Sequence, residues 1–223
     1  MNRLEALKLF LTLVSGICWT VVYLDGIRLG LKDRSYAIPF YALALNISWE
    51  LLQAIYGLQA AISVQTIINC VWLAFDFVVL YTFFKYGRKY FPQGLPAKWF
   101  IGWSVFGLIT ALCVEFAFVR EFGVAIGASY SAFLQNLLMS VLFIDMLVKR
   151  GNREGQSMTI AVNKWIGTLA PTILFGILGA GGFRNGSYLI LVLGLGCSLF
   201  DLIYVWLLSR MSAAGPPEAI TAA

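Results

Sequence analysis

Three acidic residues stand where acid chemistry is the simplest use for them. Glu50, Asp76 and Asp201 each lie within an apolar run of helical length. Around Glu50 the i±3 and i±4 positions hold Asn46, Ile47, Gln53 and Ala54. Around Asp76 they hold Trp72, Leu73, Val79 and Leu80, and around Asp201 they hold Cys197, Ser198, Tyr204 and Val205. None of these neighbours is a cation, so no partner on the same helix neutralises the acid. A charge at the centre of a bilayer costs about 2.5–3.5 kcal/mol on insertion scales, which makes an intramembrane acid a functional candidate by default. Burial disfavours the anion, so at least one of the three is expected to hold its proton near neutrality and to serve as a general acid. Hydrogen-bonded glue between helices, at about 0.6 kcal/mol per bond, accounts for a lone Ser140 but poorly for three unpaired acids.

The residues around them sharpen the chemistry. Asn46, Trp49, Glu50 and Gln53 fall at i, i+3, i+4 and i+7, one stripe of a helix. Asn69, Trp72 and Asp76 repeat the pattern, and Ser129, Gln135, Asn136 and Ser140 add polar groups further on. Trp49, Trp72, Phe75, Phe77, Phe200 and Tyr204 are neighbours of the acids in sequence or helical space. An acid among aromatic rings suits carbocation chemistry: the acid supplies a proton, and the ring faces attract the resulting cation once water is excluded. Asp25 with Arg28, and Asp145 with Lys149, are spaced as ordinary interfacial pairs. Glu115 lies near Arg120 and is expected to snorkel to the outer surface.

The elements that must hold these groups are membrane helices. Of the 223 residues 60% are hydrophobic and 12% charged, against about 25% charged in a soluble domain. Such a chain cannot build a polar shell, so a soluble enzyme and a disordered chain are excluded. A spanning helix needs roughly 20 apolar residues, and seven such stretches lie near 9–29, 37–57, 65–85, 99–119, 127–148, 164–182 and 188–208. The reading is an all-α integral membrane protein: one seven-helix domain over 1–212 and a disordered tail over 213–223. Lys and Arg collect on cytoplasmic loops. Arg3, Lys8, Arg120 and Arg184 fall on one side, and the other twelve, Lys164 among them, on the opposite side. That places the N-terminus outside and the C-terminus in the cytoplasm. There is no histidine, and the four cysteines sit singly in apolar runs. His-ligated metal, Ser-His-Asp catalysis and a CxxC site are therefore absent. The basic excess reports loops and not nucleic acid.

One region carries a family likeness. Asp33-Arg34-Ser35-Tyr36-Ala37-Ile38-Pro39, then Ala42-Leu43 and Asn46-Ile47-Ser48-Trp49-Glu50, resembles the small seven-helix membrane terpene cyclases of meroterpenoid and indole-terpenoid biosynthesis, the paspaline/meroterpenoid cyclase family. Trp72 with Asp76, Phe133-Leu134-Gln135-Asn136 and the Asp201 segment are similar too. The resemblance implies that Glu50 and Asp201 are the catalytic acids; Glu50 is read as the general acid, and Asp201 is expected to hydrogen-bond to it, to orient its proton or to share the epoxide oxygen. Asp76, Asn46, Trp49, Gln53, Trp72 and Tyr204 are further candidates for catalysis or substrate binding. It implies a lipophilic prenylated substrate in the bilayer, an epoxidised farnesyl or geranylgeranyl chain on an aromatic, indole or polyketide group, cyclised without metal or cofactor. Some members protonate an alkene directly. The membrane would be the endoplasmic reticulum in a fungal host and the plasma membrane in a bacterial one. The alternative is a SWEET-like seven-helix solute transporter, since unpaired acids also serve transport and such folds repeat three helices in parallel. Helices 1 and 5 lack the prolines that such a symmetric arrangement resembles. A microbial rhodopsin needs a lysine in its last helix, and 188–208 has none.

Overall fold

The structure is a computed structural model and describes residues 2–60 and 62–211; the tail expected to be disordered lies outside them. Seven α-helices follow one another: α1 (Arg3–Lys32), α2 (Phe40–Gln59), α3 (Val64–Tyr86), α4 (Ala97–Phe122), α5 (Val124–Arg150), α6 (Met158–Gly176) and α7 (Tyr188–Arg210), with one short 3-10 turn, Gly87–Tyr90, after α3. No strand occurs among the described residues. The starts carry caps: Asn2 accepts from the Glu5 amide, Ser63 forms a capping box with Thr66, and Ser157 and Ser187 accept from Ile160 and Ile190. Gly123, at φ +76°, turns the chain from α4 directly into α5.

Helix α6 differs most from the sequence reading. It begins at Met158, not near 164, because the Ser157 hydroxyl caps it and the apolar residues from Met158 to Val162 already belong to its first turns. Lys164 consequently stands two turns inside a helix and not on a loop. Helices α1, α3, α4, α5 and α7 are long and apolar enough to cross a membrane. Helices α2 and α6, at 20 and 19 residues, have the length for a hydrocarbon core of about 30 Å. Their apolar character is diluted by buried polar groups: Ser48 and Glu50 on α2, Lys164, Thr168 and Thr172 on α6.

The helices close into a ring. α1 packs on α3 and α6, α3 on α2, α2 on α4, α4 on α5, α5 on α7 and α7 on α6, while α2 also touches α5. Val22, Leu43, Met139, Phe143, Leu147 and Tyr204 fill the shared interior. Leu, Ile, Val and Phe side chains such as Phe10, Ile17, Phe106 and Leu199 cover the outside. In lipid that face meets a solvent as apolar as itself, so helix approach depends on small residues and polar contacts. The α6–α7 contact shows this: a Cβ on Gly194 would collide with the Thr172 hydroxyl.

One end of the ring is stitched together by polar groups. The Arg150 guanidinium lies over the Tyr36 and Tyr90 rings at 4.4 and 4.3 Å and donates to the Tyr36 carbonyl at 3.0 Å. Tyr90 donates to Glu154 at 2.7 Å, Lys89 pairs with Glu154, and the Gly155 amide donates to Asp33 at 2.9 Å. The loops after α1, α3 and α5 therefore share one end, as alternating spans require. Moving Lys164 into the bundle leaves four basic residues against eleven, a bias of the same sign as before. Single cysteines at Ile62 and Gln93, both exposed, are expected to label from opposite sides of sealed vesicles when the native cysteines are replaced. Labelling from one side would refute the alternating arrangement.

Candidate active site

Polar groups from four helices meet in the interior around Asn46. Its amide donates to Asp76 Oδ2 at 2.9 Å and to the Tyr23 hydroxyl at 2.6 Å, and its carbonyl accepts from Gln135 Nε2 at 3.4 Å. One side chain thus joins α2 to α1, α3 and α5. Glu50, one turn further along α2 on the same face, is 3% exposed, and Asp76 is fully buried. Their helices pack together, and the Asn46 that bonds Asp76 stands one turn from Glu50. Glu50 Oε2, Asp76 Oδ1 and Gln135 Oε1 are buried with no hydrogen-bond partner in the protein. Among the described residues no cation pairs with Glu50 or Asp76. The Tyr23 ring lies 6.2 Å from Trp72 and 5.8 Å from Phe75, so aromatic faces border the carboxyls.

Asp201 belongs to a second centre. Its Oδ1 accepts from Lys164 Nζ at 2.7 Å, and the same ammonium donates to Ser140 Oγ at 2.7 Å. Lys164 is fully buried and Asp201 1% exposed. The close α6–α7 approach at Thr172 and Gly194 positions the pair: Lys164 lies two turns from Thr172, Asp201 two turns from Gly194, along antiparallel helices. The expected hydrogen bond from Asp201 to Glu50 does not form, because α5 packs between their helices and Lys164 takes the carboxylate. Ser140, read as helix glue, is a ligand of that ammonium. The remaining oxygen, Asp201 Oδ2, is buried and unpartnered, as is Asn136 Oδ1 on α5.

The other candidates divide. Trp49 donates to the Ala128 carbonyl at 2.9 Å and Trp72 to Thr20 at 3.2 Å, so both indoles lock neighbouring helices. Tyr204 is fully buried against Phe143, ring centroids 5.3 Å apart, and its hydroxyl donates to Gln156 at 2.9 Å. Gln53 is half-buried and joins neither centre. Asp25 pairs with Arg28 at 2.6 Å and also accepts from Ser157, and Asp145 pairs with Lys149 at 2.9 Å, as their spacing implied. Glu115 does not snorkel. It is 2% exposed and lines a groove of about 410 Å³ with Ser131, Gln135 and Leu45, between α4 and α5. Val114, Leu134 and Leu138 on its wall are exposed at the lipid-facing surface. A second groove of about 410 Å³, with Tyr41, Trp103 and Phe106, shares Leu45, Val114 and Leu138 with the first.

The sequence profile of the Pyr4-like transmembrane terpene cyclases matches residues 2–213. The chain belongs to this family. The Pyr4-family terpene cyclase mfmH of Annulohypoxylon moriforme is 30% identical over 168 residues, 74% of this chain and 68% of that protein. Terpene cyclase macJ of Penicillium terrestre is 31% identical over 171 residues, 74% and 64% of the two chains. Terpene cyclase pyr4 of Aspergillus fumigatus is 24% identical over 204 residues, 89% and 84%. The match spans about two thirds of the length of the first two relatives. No solved structure matches the chain. In this Pyr4-like protein the two residues that sequence reasoning missed are Tyr23 and Lys164. Tyr23 carries no signal of its own among the aromatics. Lys164 did carry one: if Ser157 is taken as the cap, the apolar run after it puts the lysine deep in the span.

Proposed function

We propose that this multi-pass membrane protein is a terpene cyclase that starts cyclisation by protonating a prenylated substrate. The observation that supports this reading most is the buried cluster of Glu50, Asp76, Asn46 and Tyr23, in which two carboxyls face no cation and an aromatic wall stands beside them. Glu50 is the general acid. It gives its proton to the terminal epoxide oxygen of an epoxyfarnesyl or epoxygeranylgeranyl chain. The C–O bond breaks, an alkene of the same chain attacks the tertiary cation, and loss of a proton or internal capture ends the sequence. Substrate and product are isomers. Asp76, bonded to Asn46, is the proton relay, and Asp201 is the second carboxylate of the reaction. Trp49, Trp72 and Tyr204 shape the chamber in which the chain folds, with Tyr23 beside them.

The lipid-facing grooves along α4 and α5 are the entry for the prenyl chain. Gln135 lines the first of them on one side and bonds Asn46 on the other, so a chain lying in the groove is one side chain from the acids. The relatives from Penicillium and Aspergillus favour the endoplasmic reticulum of a fungal cell over a bacterial plasma membrane.

The test is incubation of membranes containing the protein with a panel of epoxyfarnesyl-aryl and epoxyfarnesyl-indole compounds, read as new rings at unchanged mass. Activity is expected to survive chelators and to need neither nicotinamide nor ATP. Strict dependence on a divalent cation, or solute flux into liposomes without chemical change, would overturn the reading.

A further inference from the structure

Two buried centres hold this protein's interior carboxylates, and they differ in one respect. Asp76 faces the Asn46 amide, which also reaches the Tyr23 phenol, and Glu50 one turn away pairs with no cation; Asp201 faces an ammonium at 2.7 Å, in a contact from which solvent is excluded on both sides. An ion pair with such geometry favours the charged form of both partners. The titratable groups around Asp201 are Lys164 on α6 and Cys197 and Tyr204 on its own helix, while α5 contributes the Ser140 hydroxyl, itself bound to Lys164. No second acid is paired with this carboxylate among the described residues. A lysine in a bilayer-spanning helix is costly, and a buried pair is a poor source of stability compared with apolar packing, so its presence calls for a use.

We propose that Lys164 is a positioning residue that fixes Asp201 as a carboxylate, so that Asp201 acts as a fixed negative charge toward the cyclising cation and delivers no proton. The proposal rests on the cyclase reading for its kinetic consequence but not for the protonation states it assigns. Oδ1 is committed to Lys164 and oriented by it. Oδ2 is the oxygen left over, buried and free of protein donors, and is the one that can face positive charge. The initiating proton then belongs to the Glu50 centre alone. The two carboxylates are unequal partners: one carries hydrogen to the substrate, the other carries charge.

Infrared difference spectroscopy of the full chain in membranes separates the assignments without any substrate. Asp201→Asn is expected to leave the carboxylic-acid C=O band of the wild type intact. Lys164→Met is expected to add a new acid band as Asp201 takes up a proton, and Asp201→Asn in that background to remove it. Lys164→Arg keeps the charge and should add none. Loss of acid intensity in Asp201→Asn, or no new band in Lys164→Met, would overturn the proposal. With the epoxyfarnesyl-aryl probes, Lys164→Met is expected to lose about 10²–10³-fold in rate at neutral pH, the scale of one electrostatic group. It should regain activity as pH rises and Asp201 ionises again, with Lys164→Arg partly rescued throughout. A Lys164→Met protein that is near wild type at neutral pH and declines as pH rises would make Asp201 the acid after all. If even the wild type leaves the probes unchanged, the cyclase reading fails while the infrared bands still decide the charge state. If Lys164→Met does not fold, the acid band of Asp201→Asn, kept or lost, decides the charge state by itself.

Discussion

Glu50→Gln is expected to slow cyclisation by about 10²–10⁴-fold, the usual contribution of a positioned general acid, with little change in the amount of folded protein. Glutamine fills the same volume and can still hydrogen-bond, but it has no acidic proton to give. Glu50 has no ionic partner among the described residues, so the replacement breaks no pair and strands no charge. The measurement is single-turnover conversion of an epoxyfarnesyl-aryl substrate at matched folded enzyme, because chemistry must be separated from partitioning into the membrane. Asp25→Asn and Asp145→Asn make the control. Both lose exposed or interfacial ion pairs, worth at most about 1 kcal/mol, and should retain most activity. Cyclisation by Glu50→Gln at near the wild-type rate would move the acid to Asp76. That residue accepts from the Asn46 amide, one turn from Glu50, and is the next carboxyl able to serve the same substrate.

The helices and the stripe that carries Glu50 were legible because both are periodic. A run of apolar residues has a length, and Asn46, Trp49, Glu50 and Gln53 have a spacing, so a ruler along the sequence finds them. The ring order is a different kind of fact. α1 lies against α6, and α3 against α1, through contacts of distant residues that no local pattern announces. Asp201 shows the cost of this blindness. No cation stands at i±3 or i±4 on its own helix, where Arg210 is nine residues away, and a reading limited to those neighbours leaves it unpaired and turns it toward the other interior acids. The cation comes from α6, thirty-seven residues away in sequence. Glu115 was misplaced for a related reason. Arg120 is near it on α4, but the side chain turns to α5, where Ser131 and Gln135 line the same groove.

Removing one partner of the Lys164–Asp201 pair is expected to destabilise the bundle by about 3–5 kcal/mol, because the group left behind must be neutralised or stay charged without its partner in a place no water reaches. In detergent micelles Lys164→Met and Asp201→Leu should each lower Tm by roughly 10 °C. The double variant, Lys164→Met with Asp201→Leu, should return to the wild-type Tm or exceed it, since replacing a buried pair by packed apolar groups is often neutral or stabilising by about 1–4 kcal/mol. The coupling between the two positions in that cycle is then the signature of the contact. Additive losses would mean that the two side chains do not meet within the bundle. The double variant also separates two reasons for keeping the pair. If it is stable yet inactive, the charges are retained for the reaction and not for the fold, which is the outcome expected of a carboxylate held in place to face a cation. If it is stable and turns over at the wild-type rate, the pair is a feature of assembly and the reaction runs from the Asn46 cluster alone.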